Sequence, residues 1–322
     1  MKDNTKTYSY NNDHNPKLPV DFWFQNPTEG LTLFVILYTL TCQWSQCLSC
    51  NLPSQVSEHH IDYKDIIKQI DYIFTYIIDE SKKNSLKKII LSNNGSILDE
   101  NTFSTTALIY FFAMMNIHCP NINTVTIETR PEYTDFSELE VLSRVLEEGD
   151  TPTDLEVAIG FEAFDDTIRN DYFKKGLNLN VFEQFAKKVS RHNFKLKTYF
   201  MLKPVPEMTE NQAIEDIKQG IAYLDSIAQK TGLLINMHLN PTYVAFGTPL
   251  ESAFKNGNYE PPQLSSVIKI LKEIEKPAIS IYIGLYDEGL AVTGGSFVRD
   301  GDEPIIKLLE EFNKTQNYSL FG

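Results

Sequence analysis

Cysteine and tryptophan are scarce in this chain, four and two among 322 residues. So few cysteines exclude the disulfide-dense framework that staples small secreted domains. Long apolar runs are also missing. The most apolar stretch, residues 31–40, is too short to span a bilayer and leads at once into polar residues. Basic residues are in deficit, 29 Lys and Arg against 43 Asp and Glu, for a formal net charge of −14. A chain so acidic is poorly suited to tracking a phosphate backbone, because nonspecific affinity for nucleic acid comes from Lys and Arg neutralising phosphates. The pairs Lys82–Lys83 and Lys87–Lys88 read as solvated helix-end charge rather than as a nucleic-acid contact. With no signal peptide and no membrane partner indicated, the expected location is the cytoplasm, where thiols stay reduced.

Hydrophobic residues make up 42% and aromatics 12%, which suits a folded chain able to bury a large core. Apolar strand-like cores recur at 31–41, 88–91, 124–128, 156–161, 195–202, 233–239 and 278–285. Amphipathic helical stretches lie between them at 63–78, 103–115, 136–146, 181–189, 210–228 and 263–274. Strands separated by helices imply right-handed βαβ units and a parallel sheet. Six or seven such units predict an α/β protein with a full or partial (β/α) barrel of the TIM type. No Pro/Gly/Ser linker marks a domain boundary. The expected organisation is a polar, flexible or loosely docked leader over 1–30, one barrel over 31–300, and a C-terminal helix and tail over 301–322.

Three of the four cysteines, Cys42, Cys47 and Cys50, crowd into nine residues directly after the first strand. The loop therefore sits at a carboxyl strand end, where α/β folds keep their chemistry. Three thiolates on one loop can hold three irons of a [4Fe–4S] cluster and leave the fourth iron open. Zinc is the competing reading, with His59 or His60 completing a Cys3His set. Cys119, far away in sequence, reads as a small buried hydrophobe.

Every later strand also ends in a polar or charged group. The second gives Ser92-Asn-Asn-Gly-Ser96, the third Glu128-Thr-Arg-Pro131, and the fourth Gly160-Phe-Glu-Ala163 followed by Asp165, Asp166 and Arg169. The fifth gives Met201-Leu-Lys-Pro204 and the sixth His238-Leu-Asn-Pro241. Each group has a bland reading alone: Ser96 or Asp99 as a helix cap, Arg169 paired with Asp165, Lys203 solvated. As a set at the barrel mouth they suggest a binding site.

At these residues the chain resembles a known family. Cys42-x4-Cys47-x2-Cys50 after the first strand looks like the cluster loop of radical S-adenosylmethionine (SAM) enzymes. Asn94-Gly-Ser-Ile-Leu-Asp99, Ile127-Glu-Thr-Arg-Pro-Glu132, Ile159-Gly-Phe-Glu162, Lys174-Lys-Gly176, Tyr199-Phe-Met-Leu-Lys-Pro204 and Phe246-Gly-Thr-Pro-Leu-Glu251 extend the likeness over about residues 30–300. Together they resemble the branch holding the Elongator catalytic subunit's radical domain and, more closely, the radical-SAM lyase subunit of archaeosine synthase. The loop departs from the commoner C-x3-C-x2-C spacing by one residue. Ser49 also stands where an aromatic usually packs near the adenine, leaving Trp44 or Tyr38 as alternative surfaces.

The resemblance implies a radical SAM core. Cys42, Cys47 and Cys50 would hold the [4Fe–4S] cluster, whose open iron takes the amino and carboxylate groups of SAM. Reduction, by a ferredoxin or flavodoxin, would cleave SAM to a 5′-deoxyadenosyl radical that abstracts a substrate hydrogen. Asn94, Gly95 and Ser96 match the stretch that receives the methionine amino group, Gly95 letting backbone approach the ligand. Glu128 and Arg130 would face the same pocket, Arg130 suited to a carboxylate. Glu162 would meet the ribose hydroxyls, and Lys203 and Asn240 complete the cofactor-binding set. A barrel mouth with Arg130, Arg169 and Lys203 could also hold a substrate carboxylate. The archaeosine likeness implies C–N cleavage at a lysine-modified deazaguanine in tRNA, with a partner subunit. The acidic charge and the absence of an RNA-binding module favour a small-molecule or peptide substrate instead. A noncatalytic zinc- or cluster-bearing scaffold is the remaining alternative.

Overall fold

The computed structural model describes residues 5–287 and 289–322. In chain order its elements are β1 (Asp21–Gln25), β2 (Thr32–Ile36), α1 (Tyr63–Tyr72), α2 (Glu80–Lys83), β3 (Lys88–Ser92), α3 (Thr105–His118), β4 (Thr124–Thr129), α4 (Phe136–Leu146), β5 (Asp154–Glu162), α5 (Leu179–Arg191), β6 (Lys195–Leu202), α6 (Glu210–Thr231), β7 (Ile235–Pro241), α7 (Pro249–Lys255), α8 (Leu264–Glu273), β8 (Ser280–Ile283) and α9 (Glu303–Thr315). The strands form one sheet in the order β1 to β8, with β2 through β8 parallel. The sheet curls into a partial barrel. Of the two expected forms, full and partial, the chain adopts the second.

Strand composition explains the layering. Along β5, Leu155, Val157, Ile159 and Phe161 join the helix-covered core, while Glu156, Ala158, Gly160 and Glu162 alternate with them. Period-two alternation sends the second set to the barrel interior. The helices lay their apolar stripes on the outer face, as α5 does with Phe182, Phe185, Ala186 and Val189. Helix α6 begins with a reciprocal capping box, Thr209 with Gln212, and ends at Gly232 in the left-handed conformation.

The N-terminal segment is docked, which corrects the expectation of a loose leader. Asp21–Gln25 pairs antiparallel with β2, and Trp23 stacks on Phe34 with ring centroids 4.2 Å apart. Further upstream, the Thr7 amide donates to the Gly247 carbonyl at 2.8 Å, and the Tyr38 hydroxyl donates to the Asn11 carbonyl at 2.6 Å. The polar composition of this stretch hid its role because one short strand of alternating aromatics carries most of the attachment. Strand β1 also reaches the far edge of the sheet: Tyr282 donates to Gln25 at 2.9 Å, and Trp23 meets Tyr286 edge-on.

The barrel floor is charged. Lys88 is buried between Glu156 at 2.7 Å and Glu29 at 2.8 Å, so it is no part of a surface basic patch. Lys82 and Lys83 are neutralised on α2 by Asp79 and Glu80. No helix among the described residues is long and apolar enough to cross a membrane.

Candidate active site

The interior-facing residues at the carboxyl strand ends and the loop after β2 enclose one cavity of about 280 Å³. Cys42, Cys47 and Cys50 all line it as free, half-buried thiols. The loop that carries them is fixed at several points. Leu48 N–H donates to the Phe173 carbonyl at 2.8 Å, the Asn51 carboxamide donates to the Phe246 carbonyl, and the Trp44 indole donates to the Lys174 carbonyl at 2.9 Å. Trp44 packs against the Arg130 guanidinium at 4.4 Å. Gly176 makes this possible, since a Cβ there would lie 2.5 Å from the indole.

Burial raises the Cys50 thiol to about 12, with the Lys6 ammonium opposing the shift. Burial also raises Cys47, against Lys175 and Arg130. Three half-buried thiols sharing one wall with Lys175 and Arg130 are a donor set suited to a soft metal centre that removes their protons on binding. Among the described residues, no three His, Cys, Asp or Glu side chains gather around a single-ion position. His59 is exposed beside Glu58 and completes no Cys3His set. Three thiols of one loop on one cavity wall are a donor set that a [4Fe–4S] cluster takes.

The structure brings most of the expected residues together. Asn94, Gly95, Glu128, Arg130, Glu162 and Asn240 line the cavity with the cysteines. Asn94 has a positive φ of 55° and is held by its carboxamide on Gln55 at 2.7 Å. Glu128 is half-buried and bonded by the Tyr199 hydroxyl; desolvation raises its carboxyl, with Ser92 and Tyr199 opposing. Arg130 donates to the Lys175 carbonyl at 3.0 Å and pairs with Glu132. Glu162 lies at a bulge with φ 75° and pairs with Lys175 at 2.8 Å.

Three expectations change. Ser96 is buried outside the cavity lining. Lys203 also stands outside, donating to the Glu260 carbonyl at 2.9 Å over the Tyr259 ring. Arg169 is fully buried and spent on the carbonyls of Ala163, Phe164 and Leu177 and on Asp166, so it holds no substrate carboxylate. Of the alternative aromatic surfaces, Trp44 lines the cavity and Tyr38 is buried elsewhere.

Sequence reasoning missed Lys175, Tyr199, His238 and Tyr282, all of which line the cavity. Their signal was available: Lys175, Tyr199 and His238 sit inside quoted phrases, and Tyr199, His238 and Tyr282 occupy the inward parity of their strands. Gly95 serves a different neighbour from the one expected. A Cβ at 95 would lie 3.2 Å from the Cys42 Cα and 3.4 Å from its backbone nitrogen. Gly95→Val should therefore displace Cys42 as well as narrow the pocket. The expected result is a folded protein retaining under half of the wild-type iron after reconstitution; full iron retention would show that the contact is slack.

No family model matches this chain. The fold is similar to that of Elp3 from Methanocaldococcus infernus with an N-terminal deletion, with a TM-score of 0.52 at 16% identity over 77% of this chain. The chain spans 58% of that Elp3 structure. The architecture is thus the partial (β/α) barrel to which the motif phrases pointed. In sequence, the chain is similar to archaeosine synthase subunit beta from Methanosarcina acetivorans, 27% identical over 77% of this chain and 68% of that one. The archaeosine synthase subunit beta of Thermococcus kodakarensis is 23% identical over 90% of this chain and 87% of its own. An uncharacterised protein of Methanocaldococcus jannaschii is 27% identical over 94% and 83%.

Proposed function

We propose that this chain is a radical SAM enzyme whose cluster is held by Cys42, Cys47 and Cys50. One observation carries the reading: three free thiols of a single loop share one cavity with an arginine, two carboxylates and a glycine-bearing turn. The fourth cysteine, Cys119, is buried at the end of α3 and lines no part of it, so a three-thiolate cluster would keep one iron open to SAM. When bound, the reduced cluster would supply the electron that breaks the C5′–S bond of SAM and yields a 5′-deoxyadenosyl radical.

The chain's own residues would bind and shield. Arg130, whose Nη1 has no hydrogen-bond partner among the described residues, would clamp the methionine carboxylate, with Trp44 bracing its position. Glu162, oriented by Lys175, would accept from the ribose hydroxyls. Asn94 and Gly95 would flank the methionine amino group. Lys6, donating to the Ser45 carbonyl at 3.1 Å, helps the N-terminal segment cover the cysteine loop and limit water.

The preferred substrate is a small molecule or peptide, with a ferredoxin or flavodoxin as electron donor. A second reading has one observation in its favour: two of the relatives are archaeosine synthase beta subunits. Carried over to this chain, it gives cleavage at a tRNA base, with a partner subunit supplying the RNA contacts.

Two measurements test these statements. Anaerobic reconstitution should load about four iron and four sulfide per chain, whereas stoichiometric zinc without sulfide would favour the scaffold. Titration of bulk tRNA at low and at physiological salt should show weak binding that fades with salt, as expected at a net charge of −14. Submicromolar affinity surviving physiological salt would favour the tRNA reading.

A further inference from the structure

The cavity wall has two chemically distinct parts. The part built from β3, β4, β5 and the segment after β5 carries the charge: Glu128, Arg130, Glu162 and Lys175. The part built from β6, β7, β8 and β1 carries none among the described residues. It offers Tyr199, Met201, His238, Asn240, Tyr282 and Trp23.

Two of these neutral groups lack protein partners among the described residues. The Asn240 side chain, half-buried at the cavity wall, makes no hydrogen bond to any described residue. His238 is buried, and its Nδ1 has no partner among the described residues. Their neighbour on the same inward face of β7, Asn236, is by contrast fully engaged, between Lys197 and Ser280. The Asn240 carboxamide and, beside it, His238 Nε2 border the space in front of Gly284, where the polar edge of a ligand can complete them. Gly284 keeps the space open: a Cβ there would lie 2.2 Å from Asn240 Oδ1 and 3.0 Å from His238 Nε2.

The imidazole is flanked by aromatic rings, Tyr199 at 5.1 Å and Tyr282 at 4.7 Å between centroids. Burial and the cations Lys197 and Lys88 hold His238 neutral, its basicity well below the ordinary range. The titratable groups around it are Tyr199 and Tyr282 beside the ring, Lys197 and Lys88 toward the floor, and Glu128 beyond Tyr199. Among the described residues no charged side chain on this wall lines the cavity, so a charged substrate group placed here would be desolvated without an ionic partner. A carboxamide side chain presents a donor and an acceptor together and is complemented by another amide-type edge.

We infer that the β6–β8 wall is the substrate subsite, where Asn240 and His238 read an uncharged amide-type edge, a carboxamide or lactam, on a planar ring lying among Tyr199, Tyr282 and Trp23. This rests on the radical SAM reading only in naming the bound molecule a substrate, and it moves Asn240 from the cofactor to the substrate side.

The test uses benzamide, benzoate and benzylammonium as probes of one size and three charges, with binding followed by saturation-transfer NMR. Probes this small bind in the millimolar range at ordinary ligand efficiencies. Benzamide should bind at least about tenfold more tightly than either ion. Asn240→Leu and Gly284→Ala should each weaken benzamide about tenfold or more, while SAM affinity by equilibrium dialysis stays within about twofold of wild type. Equal binding of benzoate, no detectable benzamide binding, or an unchanged benzamide affinity in Asn240→Leu would overturn the proposal. A parallel loss of SAM affinity in both variants would overturn it too, by returning Asn240 to the cofactor. If the wild-type protein binds no SAM but shows the benzamide selectivity, the radical SAM reading fails and the neutral subsite stands.

Discussion

Replacing Cys42, Cys47 or Cys50 with Ala should abolish cluster retention and SAM cleavage together, while Cys119→Ala leaves both intact. Each of the three supplies one of only three thiols on the cavity wall, and no other cysteine stands close enough to substitute. A cluster bound through two thiolates would be held by one ligand fewer than the site is built to supply. Cys119 follows α3 and is surrounded by the helix-side core, where burial raises its thiol to about 12 and keeps it an inert hydrophobe. Iron and sulfide analysis of the four variants after identical reconstitution checks this. Loss of iron from Cys119→Ala as complete as from Cys47→Ala would show that the ligand set is wrongly drawn.

Glu156→Gln should cost the fold about 3–5 kcal/mol, the usual penalty for removing one partner of a buried ion pair. Glu156 sits on the barrel floor, accepts from Thr126 at 2.6 Å and pairs with Lys88 at 2.7 Å. Burial alone would raise its carboxyl, but Lys88 and Lys197 outweigh burial and hold it well below the ordinary range. The glutamine would leave Lys88 dependent on the half-exposed Glu29 and would take from Lys197 the main opposing charge. The sign of the pH dependence follows. A carboxyl depressed in the folded state stabilises the protein at pH values above its unfolded pKa, near 4.3, and loses that contribution as pH falls through the folded value. The deficit of the variant should therefore be full at pH 7 and shrink in acid. Urea unfolding at pH 7 and near pH 3 gives both numbers; a loss under about 1 kcal/mol at pH 7 would mean the pair adds little beyond its own desolvation.

The parallel strands and the cysteine loop were legible because they depend on local pattern. Seven apolar cores separated by amphipathic stretches became β2 to β8, each within a few residues of its expected bounds. Strand β1 was not legible, since Asp21–Gln25 is short, polar at both ends and committed only by pairing with β2 and by the Trp23–Phe34 stack. The site divided in the same way. Glu128 and Glu162 lie at the carboxyl ends of β4 and β5, Arg130 follows β4, and all three line the cavity. Lys203 follows a strand too, but a positive φ of 61° accompanies its turn toward Glu260 and Tyr259. Arg169 read as a partner of Asp165 or as a carboxylate-binding group at the barrel mouth, because nothing in sequence shows that three backbone carbonyls need it. Lys88 read as surface charge because its partners, Glu29 and Glu156, are 59 and 68 residues away in sequence.

The central claim is that the three-thiol cavity supports reductive cleavage of SAM. Its most direct test is anaerobic incubation of the reconstituted chain with dithionite and SAM, with the nucleoside products separated by chromatography. The account predicts 5′-deoxyadenosine from the wild-type chain and none from Cys47→Ala. A wild-type chain fully loaded with iron and sulfide that binds SAM yet forms no 5′-deoxyadenosine would contradict it.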